Sequence, residues 1–488
     1  MNRPDGSGPP EAGGSRTPNP AVLLVLGVPF HDVTEDEALA WIAARARSRQ
    51  PSQLVTSNLD FLYQAWRDPE MHRIHFEADL VVADGWPPVL FSRFFGPRLR
   101  GRVAGSDLVR RLGDTARDHG LSVYALGGQP GVGETALKIL QERSPGLRIA
   151  GTGSPPLSPL LDMDHEGLRR AVAAAGPDLL LVAFGAPKQD KWIGLNAGPL
   201  GVPVAMGVGG SLDFIAGAQT RAPRWIQKIG LEWFWRLVSQ PRRMFKRYST
   251  DFLFLFMMLF RLALLRVSPA GRGARPTLPD RAVLDARGAV AVPFRPLNRA
   301  EEAAEFCGLH EPAASGKILV LDLSGFGWLN SLELGAVARL ARAGRRSGRP
   351  LMLANASRRV ARLIRIQRLD RYAEFPDSAE AFSRRLDDLA LPPEERSTRW
   401  TEEAGALTVL LPEEFEREEA RRAGEEFARR RSSGGAGTVV VDGRRVRYVD
   451  SAGLLFFKTA RRSAGEGLSL RSFPEPVLDL LRSEGLDR

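Results

Sequence analysis

From about residue 21 to 250 the chain alternates short apolar runs with amphipathic stretches. The runs QLVT (53–56), ADLVVAD (78–84), LSVYALG (121–127), DLLLVAFG (178–185) and VPVAMGVGG (202–210) each close on polar residues or glycine. The apolar run Ala21 to Val28 is short enough to be a first strand. Between the runs, Ser106 to His119 and Glu134 to Glu142 repeat apolar positions at helical spacing. Apolar strands alternating with helices predict a parallel, doubly wound, Rossmann-like α/β sheet buried on both faces. Ligands of such sheets bind at the carboxyl ends of the strands, so the residues closing each run are the first candidates for a site.

The pattern changes after a stretch rich in Pro, Gly and Arg (267–280). Ser331 of LDLSGFGWLNS stands nine residues after Asp322, and Ser451 of VDGRRVRYVDS stands nine after Asp442. Trp328 matches Tyr448, and Asn330 matches Asp450. Each copy follows an apolar strand and opens a helix-like segment, which predicts two copies of one small α/β unit. The expected organisation is a disordered leader (1–20), a doubly wound core (21–218), a basic appendage (219–266), a linker (267–280), a first small unit (281–386), a second linker (387–403) and a second unit (404–488).

A chain of 488 residues has room for these three folded units. Its 43% hydrophobic and 26% charged residues exclude wholesale disorder and a polytopic membrane protein. No apolar stretch reaches 18 residues, so no conventional spanning helix is expected. The single cysteine, Cys307, excludes an intrachain disulfide and a cysteine-rich zinc site. The net charge of +11 is mostly local: residues 219–266 hold ten basic residues against Glu232 and Asp251. Trp225, Trp233 and Trp235 interleave with these cations, and Phe252 to Leu265 is apolar except for Arg261. Such a segment suits an interfacial helix on an anionic membrane, or an amphipathic core helix with a basic outer face. No recognition motif accompanies the charge, so nucleic acid is not the expected partner.

Asp84 closes ADLVVADG at the carboxyl edge of a buried strand, where desolvation would raise a carboxyl toward general-base range. The alternative is a turn or helix cap. Thr56 and Asn58 end another strand with neutral hydrogen-bonding groups. GGQPGVGET (127–135) follows a strand and opens a helix, as a phosphate-binding turn does. Glu134 stands where a P-loop needs lysine, so an NTPase is rejected, leaving a nucleotide diphosphate or a turn needed only for packing. Asp162 and Asp164 form an Asp-x-Asp pair just ahead of a helix, better read as N-capping than as a metal site. No metal ligand set and no cofactor are expected.

The strings TSNLDFLYQAWRDPEM, ADLVVADGWPPV, GRVAGSDL, GAPKQDKW, GVGGSLDFIAGAQTRAP and LEWFWRLVSQPRRMFKRY run in one order over about 21–250. Together they resemble the WecG/TagA/CpsF family of bacterial glycosyltransferases (glycosyltransferase family 26). The resemblance implies an inverting, metal-independent enzyme. It would move N-acetylmannosamine or its uronic acid from a UDP-sugar to an undecaprenyl-diphosphate-linked sugar, for cell-surface polysaccharide. It implies Asp84 as catalytic base and Thr56 and Asn58 as active-site groups. Arg102 and Gln189 would lie at the donor diphosphate and sugar, and Gly127, Gly128 and Gly185 at turns where backbone approaches UDP. Arg236, Arg243, Lys246 and Arg247 fall on an appendage that closes over the site and touches the membrane. Lys246 stands where the family has arginine, and the chain continues some 220 residues past the point where members usually end.

The two repeats resemble STAS domains, in which a serine opening a helix after an Asp-containing strand is a phosphorylation site. Ser331 and Ser451 match that position, and N-capping is the alternative role. The second copy keeps Asp450, Ser451 and Gly453, whereas the first has Asn330 and Glu333. The implied partners are the UDP-sugar, the lipid-linked acceptor, an anionic membrane surface, and a kinase or STAS-binding protein. The implied location is cytoplasmic, peripheral on the inner face of the membrane. The competing function is a non-catalytic membrane adaptor that displays the STAS pair.

Overall fold

The computed structural model describes residues 20–219, 223, 232–239, 241–267, 278–376, 378–390, 397–403, 406–432 and 438–487. All but the last residue of the expected leader, and most of the first expected linker, lie outside these residues.

The chain opens on a hairpin, β1 (Val22–Val25) and β2 (Val28–His31), paired antiparallel. The expected single strand over Ala21 to Val28 is instead broken by Leu26 and Gly27, both at positive φ. A two-residue turn of that kind matches the twist of the flanking strands and reverses the chain. After helix α1 (Glu35–Ser48), closed at its start by a Thr34–Glu37 capping box, the main sheet begins. Its elements are β3 (Ser52–Ser57), α2 (Leu59–Arg67), α3 (Pro69–Glu77), β4 (Leu80–Ala83), α4 (Trp86–Ser92), α5 (Gly105–Asp118), β5 (Ser122–Gly127), α6 (Val132–Arg143), β6 (Arg148–Gly153), α7 (His165–Ala175), β7 (Leu179–Ala183), α8 (Lys188–Leu200), β8 (Val204–Gly207) and α9 (Ser211–Ile215).

The sheet has six strands in the order β4-β3-β8-β7-β5-β6, with every pair parallel. Its side chains alternate between two buried faces. Leu54, Leu80, Val82, Val123, Leu179 and Leu181 enter a core with helices α1, α5 and α6. Val55, Val81, Tyr124, Leu126, Leu180 and Val182 face the other side. Burial on both faces is why these strands read as continuous apolar runs, and the predicted doubly wound parallel sheet is present.

Helix α10 (Glu232–Ser239) and the 27-residue α11 (Pro241–Val267) follow. Helix α11 buries Met244 and, two turns on, a stripe at steps of three and four: Asp251, Phe254, Met258, Leu262 and Leu265. Phe245, Phe252, Leu253, Phe256, Phe260, Leu264 and Val267 remain exposed on it. No helix among the described residues is long and apolar enough to cross a membrane.

The next unit contains α12 (Arg281–Ala286), β9 (Ala289–Pro293), α13 (Ala300–Gly316), β10 (Ile318–Asp322), α14 (Ser331–Arg346), β11 (Leu351–Ala354), α15 (Arg358–Ile366), β12 (Ala373–Glu374) and α16 (Ala379–Ala390). Its four strands form a parallel sheet, β12-β11-β10-β9. The last unit contains β13 (Arg399–Glu403), β14 (Ala406–Leu410), β15 (Glu414–Phe415), α17 (Arg417–Ser432), β16 (Thr438–Asp442), β17 (Tyr448–Val449), α18 (Ser451–Ala464), β18 (Leu468–Arg471) and α19 (Glu475–Ser483). Here β13 runs antiparallel to β14, while β14, β16 and β18 are parallel. Residues 387–390 and 399–403, expected in a linker, belong to α16 and β13.

The repeated motif takes the same local shape twice. Asp322 Oδ1 accepts from Ser324 N (2.9 Å), and Asp442 Oδ1 from Arg444 N (3.0 Å). Asn330 and Asp450 each cap the following helix by accepting from its first backbone amides. The two units attach differently. The first shares one hydrophobic core with the hairpin, α2, α3, α4 and α11. The last has its own core, built on Phe415, Phe427, Phe456 and Phe457.

Candidate functional site

The residues closing the main strands meet at one edge of the sheet. Ser57 pairs with Ala83 across β3 and β4, so Asn58 and Asp84 leave the sheet side by side, and Asp84 N donates to Ser57 O (2.9 Å). Val103 N donates to Ala83 O (2.8 Å), which brings Arg102 back beside Asp84. Thr56 is buried against Gly105, where a Cβ would lie only 3.0 Å from Thr56 Oγ1. TSN, ADG and GRVAG, far apart in sequence, are thus knitted together at the carboxyl ends of two adjacent strands. Asp84 and Arg102 are both half-buried there.

Asn58 has a structural duty as well. Its Oδ1 accepts from Asp60 N (3.1 Å) and Phe61 N (3.3 Å) as the N-cap of α2, leaving its amide nitrogen for other partners. Beneath it, His75 Nε2 lies 3.1 Å from Ser57 Oγ, and His75 Nδ1 lies 2.7 Å from Met71 O. Burial pushes His75 down to about 4, so the ring is neutral at physiological pH.

Gly127, Gly128 and Gly185 close β5 and β7 on the same edge, all at positive φ. At Gly127 a Cβ would fall 2.7 Å from Phe184 and 2.9 Å from Ala183 O, so only glycine lets these two strand ends approach. Gly128 N donates to Ala183 O (3.1 Å), and α6 starts four residues further on, at Val132. Gln189 is buried rather than open to the crevice, and its Oε1 accepts from Gly209 N (3.0 Å), bracing the GVGG turn after β8. Its neighbour Asp190, not singled out from the sequence although it stands in the same GAPKQDKW string, is buried beside Gly207. Burial raises its carboxyl to about 7, and Oδ2 has no hydrogen-bond partner among the described residues.

The basic appendage packs onto this edge. Arg247 Nη2 pairs with Asp60 Oδ2 (2.8 Å) in the first turn of α2, two residues past Asn58. Arg247, expected among cations offered to a diphosphate or membrane, therefore points inward, because it falls on the buried stripe of α11. Lys246, one position along, is exposed. The side chains of Arg236 and Arg243 lie outside the described residues. Asp251 is buried nearby, and burial together with the Asp60 charge pushes it up to about 7. Trp66 and Tyr63 of α2 pack on Phe254, with ring centroids 5.7 and 5.6 Å apart.

The Asp-x-Asp pair is not part of the site. Asp164 caps α7 through Gly167 N (2.8 Å), and Asp162 is paired with Lys458. Ser331 and Ser451, expected to face an outside partner, are both buried against the N-terminal half. Ser331 Oγ donates to Pro97 O (2.9 Å), and Ser451 Oγ to Glu70 Oε2 (2.6 Å). Each lies at the start of an inward-facing helix, so neither hydroxyl is open to a kinase in this arrangement. A cavity of about 360 Å³ lined by Ser52, Gln53, Asp79, Arg342, Arg345 and Arg417 lies at the amino ends of β3 and β4, the opposite edge from Asp84.

Residues 23–267 match the Glycosyl transferase WecG/TagA/CpsF family. A relative from Staphylococcus aureus (strain MRSA252) is 30% identical over 227 residues, which cover 46% of this chain and 87% of the relative. One from Bacillus spizizenii (strain W23) is 30% identical over 190 residues, 39% of this chain and 72% of the relative. A third, from Bacillus subtilis (strain 168), is 29% identical over 190 residues, with the same two shares. All three are named N-acetylglucosaminyldiphosphoundecaprenol N-acetyl-beta-D-mannosaminyltransferase. With the family's span coinciding with the doubly wound sheet and its appendage, the chain belongs to the WecG/TagA/CpsF family of glycosyltransferases.

Proposed function

We propose that the protein transfers an N-acetylmannosamine-type sugar, or its uronic acid, from a UDP-sugar to an undecaprenyl-diphosphate-linked acceptor at the inner face of the membrane. The observation that carries this reading is the convergence of Asp84, Asn58, Thr56 and Arg102 at the carboxyl ends of β3 and β4. Asp84 takes the proton of the acceptor hydroxyl as that oxygen attacks the anomeric carbon. The bond from that carbon to UDP breaks on the opposite face, inverting the centre, and UDP leaves with the electron pair. Arg102 stabilises the departing diphosphate, a role that needs no metal. The glycine turns after β5 and β7 admit the nucleotide's phosphates close to backbone, while Gln189 and Asp190 support the turn after β8 from beneath.

The membrane part of the reading is supported by two exposed apolar stripes. On α4 and just beyond, Trp86, Leu90 and Phe94 recur every four residues, starting two residues after Asp84. On α11 the stripe is Phe252, Phe256, Phe260 and Leu264. Arg266 Nη1 donates to Phe94 O (3.3 Å), joining the two elements. An apolar stripe flanked by Lys246, Arg261 and Arg266 suits a helix lying in an anionic interface. The two C-terminal units are read as STAS-like docking or regulatory modules.

The test is UDP release from a panel of UDP-sugars with a lipid-linked N-acetylglucosamine acceptor, in the presence of a chelator. Asp84→Asn is expected to lower kcat by about 10²–10⁴-fold with UDP still bound. Undiminished turnover in that variant would remove Asp84 from the role of base. Phe256→Ser with Phe260→Ser is expected to abolish salt-sensitive binding to anionic vesicles while leaving the fold intact.

A further inference from the structure

We infer that the first C-terminal unit is a working part of the transferase site, with Ser331 as a positioning residue for the loop that connects Asp84 to Arg102. The inference rests on the roles of Asp84 and Arg102 proposed above.

Between Asp84 and Arg102 the chain runs through α4 and then the loop 93–101. Asp84 and Val103, on either side of this excursion, are tied to the sheet through Ser57 O and Ala83 O. The middle of the loop is held from outside the family's own span. Phe95 O accepts from Ser331 N (2.8 Å), and Pro97 O accepts from Ser331 Oγ (2.9 Å). Ser331 N–H is one of the amides at the start of α14 that no helical carbonyl can satisfy, so the helix end takes a loop carbonyl instead. Gly96, between the two contacts, sits at φ +123, and a Cβ there would lie 2.9 Å from Asn330 Cβ. The loop therefore touches the 330–331 corner at three consecutive residues.

That corner is itself rigidly held. Asn330 Oδ1 accepts from Leu332 N and Glu333 N (2.9 Å each), while its Nδ2 donates to Leu297 O (3.0 Å). Glu333 returns the contact by accepting from Asn330 N (2.7 Å) and Leu297 N (3.2 Å). Helix α14 then runs across the transferase half. Gly335 lies against Val22 O, and Arg342 Nη1 donates to Ala78 O (2.8 Å) at the far end of β4. One buried helix thus spans from the catalytic edge to the opposite edge of the sheet. A loop fixed at both ends and pinned at its centre holds its flanking side chains at a set separation, which is what positioning for transfer requires.

The test uses the full chain with Ser331→Ala, which removes the hydroxyl contact without adding bulk, and Gly96→Ala, which keeps every donor but presses on Asn330. Hydrogen exchange of amides 93–103 is compared with that of 52–57, and kcat and KM are measured for UDP-sugar and lipid acceptor. Both variants are expected to speed exchange at 93–103 alone by about tenfold. Their kcat should fall about 10-fold to 10²-fold while donor KM stays within about twofold. Unchanged kcat in Ser331→Ala against an active wild type overturns the inference, and so does faster exchange spread evenly over the chain. If the wild type transfers no sugar, the proposed reaction fails separately. Exchange at 93–103 then still decides the clamp: a local rise supports it and no rise overturns it.

Discussion

Arg247 and Asp60, 2.8 Å apart, fasten the basic helix α11 to the turn that follows Asn58. Asp251 lies on the same buried stripe, and its carboxyl is raised to about 7 by burial and by Asp60. Arg247→Ala leaves the two carboxyls facing each other without their cation. At pH 5 Asp251 is protonated and the loss is small. At pH 8 it is ionised beside Arg247 in the wild type, so the loss on removing the cation should grow to about 1–2 kcal/mol, modest because Arg247 is partly exposed. Urea denaturation at the two pH values checks this, and equal losses at both would contradict it.

Asp190 provides a pH signature of the opposite sense to an ordinary ion pair. Its folded-state value of about 7 lies above the usual carboxylate range, so the folded chain holds a proton that the unfolded chain has released. Stability should therefore fall as pH rises from about 4 to about 7 and level off above, because the buried site disfavours the charge. Asp190→Asn is expected to be nearly neutral below about pH 4, already stabilising near pH 5, and stabilising at pH 8 by an amount on the order of a few kcal/mol. Thermal melts across that range would show it. A variant equally stable relative to wild type at every pH would sink the idea.

Gly335 sits in the middle of α14, where helix propensity alone favours alanine by about 1 kcal/mol. Packing should reverse that preference, because a Cβ at Gly335 would fall 1.9 Å from Val22 O. Gly335→Ala is expected to destabilise the chain by about 1–3 kcal/mol through overpacking. A rise in the melting temperature would show that helix α14 does not rest on β1.

Arg73 lies between Asp450 and Glu416, its side chain 4% exposed and that of Asp450 fully buried. Truncating one partner of a buried pair strands the other, so Asp450→Ala should cost about 3–5 kcal/mol. It also removes the cap of α18. Arg421→Ala, which breaks exposed pairs with Glu418 and Glu425 on α17, should change stability by under about 1 kcal/mol. Chemical denaturation of the two variants tests the contrast, and comparable effects would contradict it.

The doubly wound sheet was legible because strands buried on both faces must be apolar at every position, as Leu80, Val81 and Val82 are. The inward stripe of α11 was not open to reading, since the buried Phe254, Met258 and Leu262 and the exposed Phe252, Phe256, Phe260 and Leu264 follow the same helical spacing within one apolar run. The residues closing the runs, Asp84 and Asn58 among them, could be picked out because carboxyl ends of parallel strands share one edge. The sequence by itself therefore determined the fold class of the transferase half, the chemistry available at its edge and the repeat of the Asp–Ser motif. Tertiary structure alone decided what each polar group faces. Composition cannot show that Arg247 turns to Asp60, that Gln189 braces Gly209, or that Ser331 and Ser451 are closed against Pro97 and Glu70. Local periodicity reports which side of an element is buried, but a polar partner 234 or 381 residues away in sequence is chosen only when the units pack.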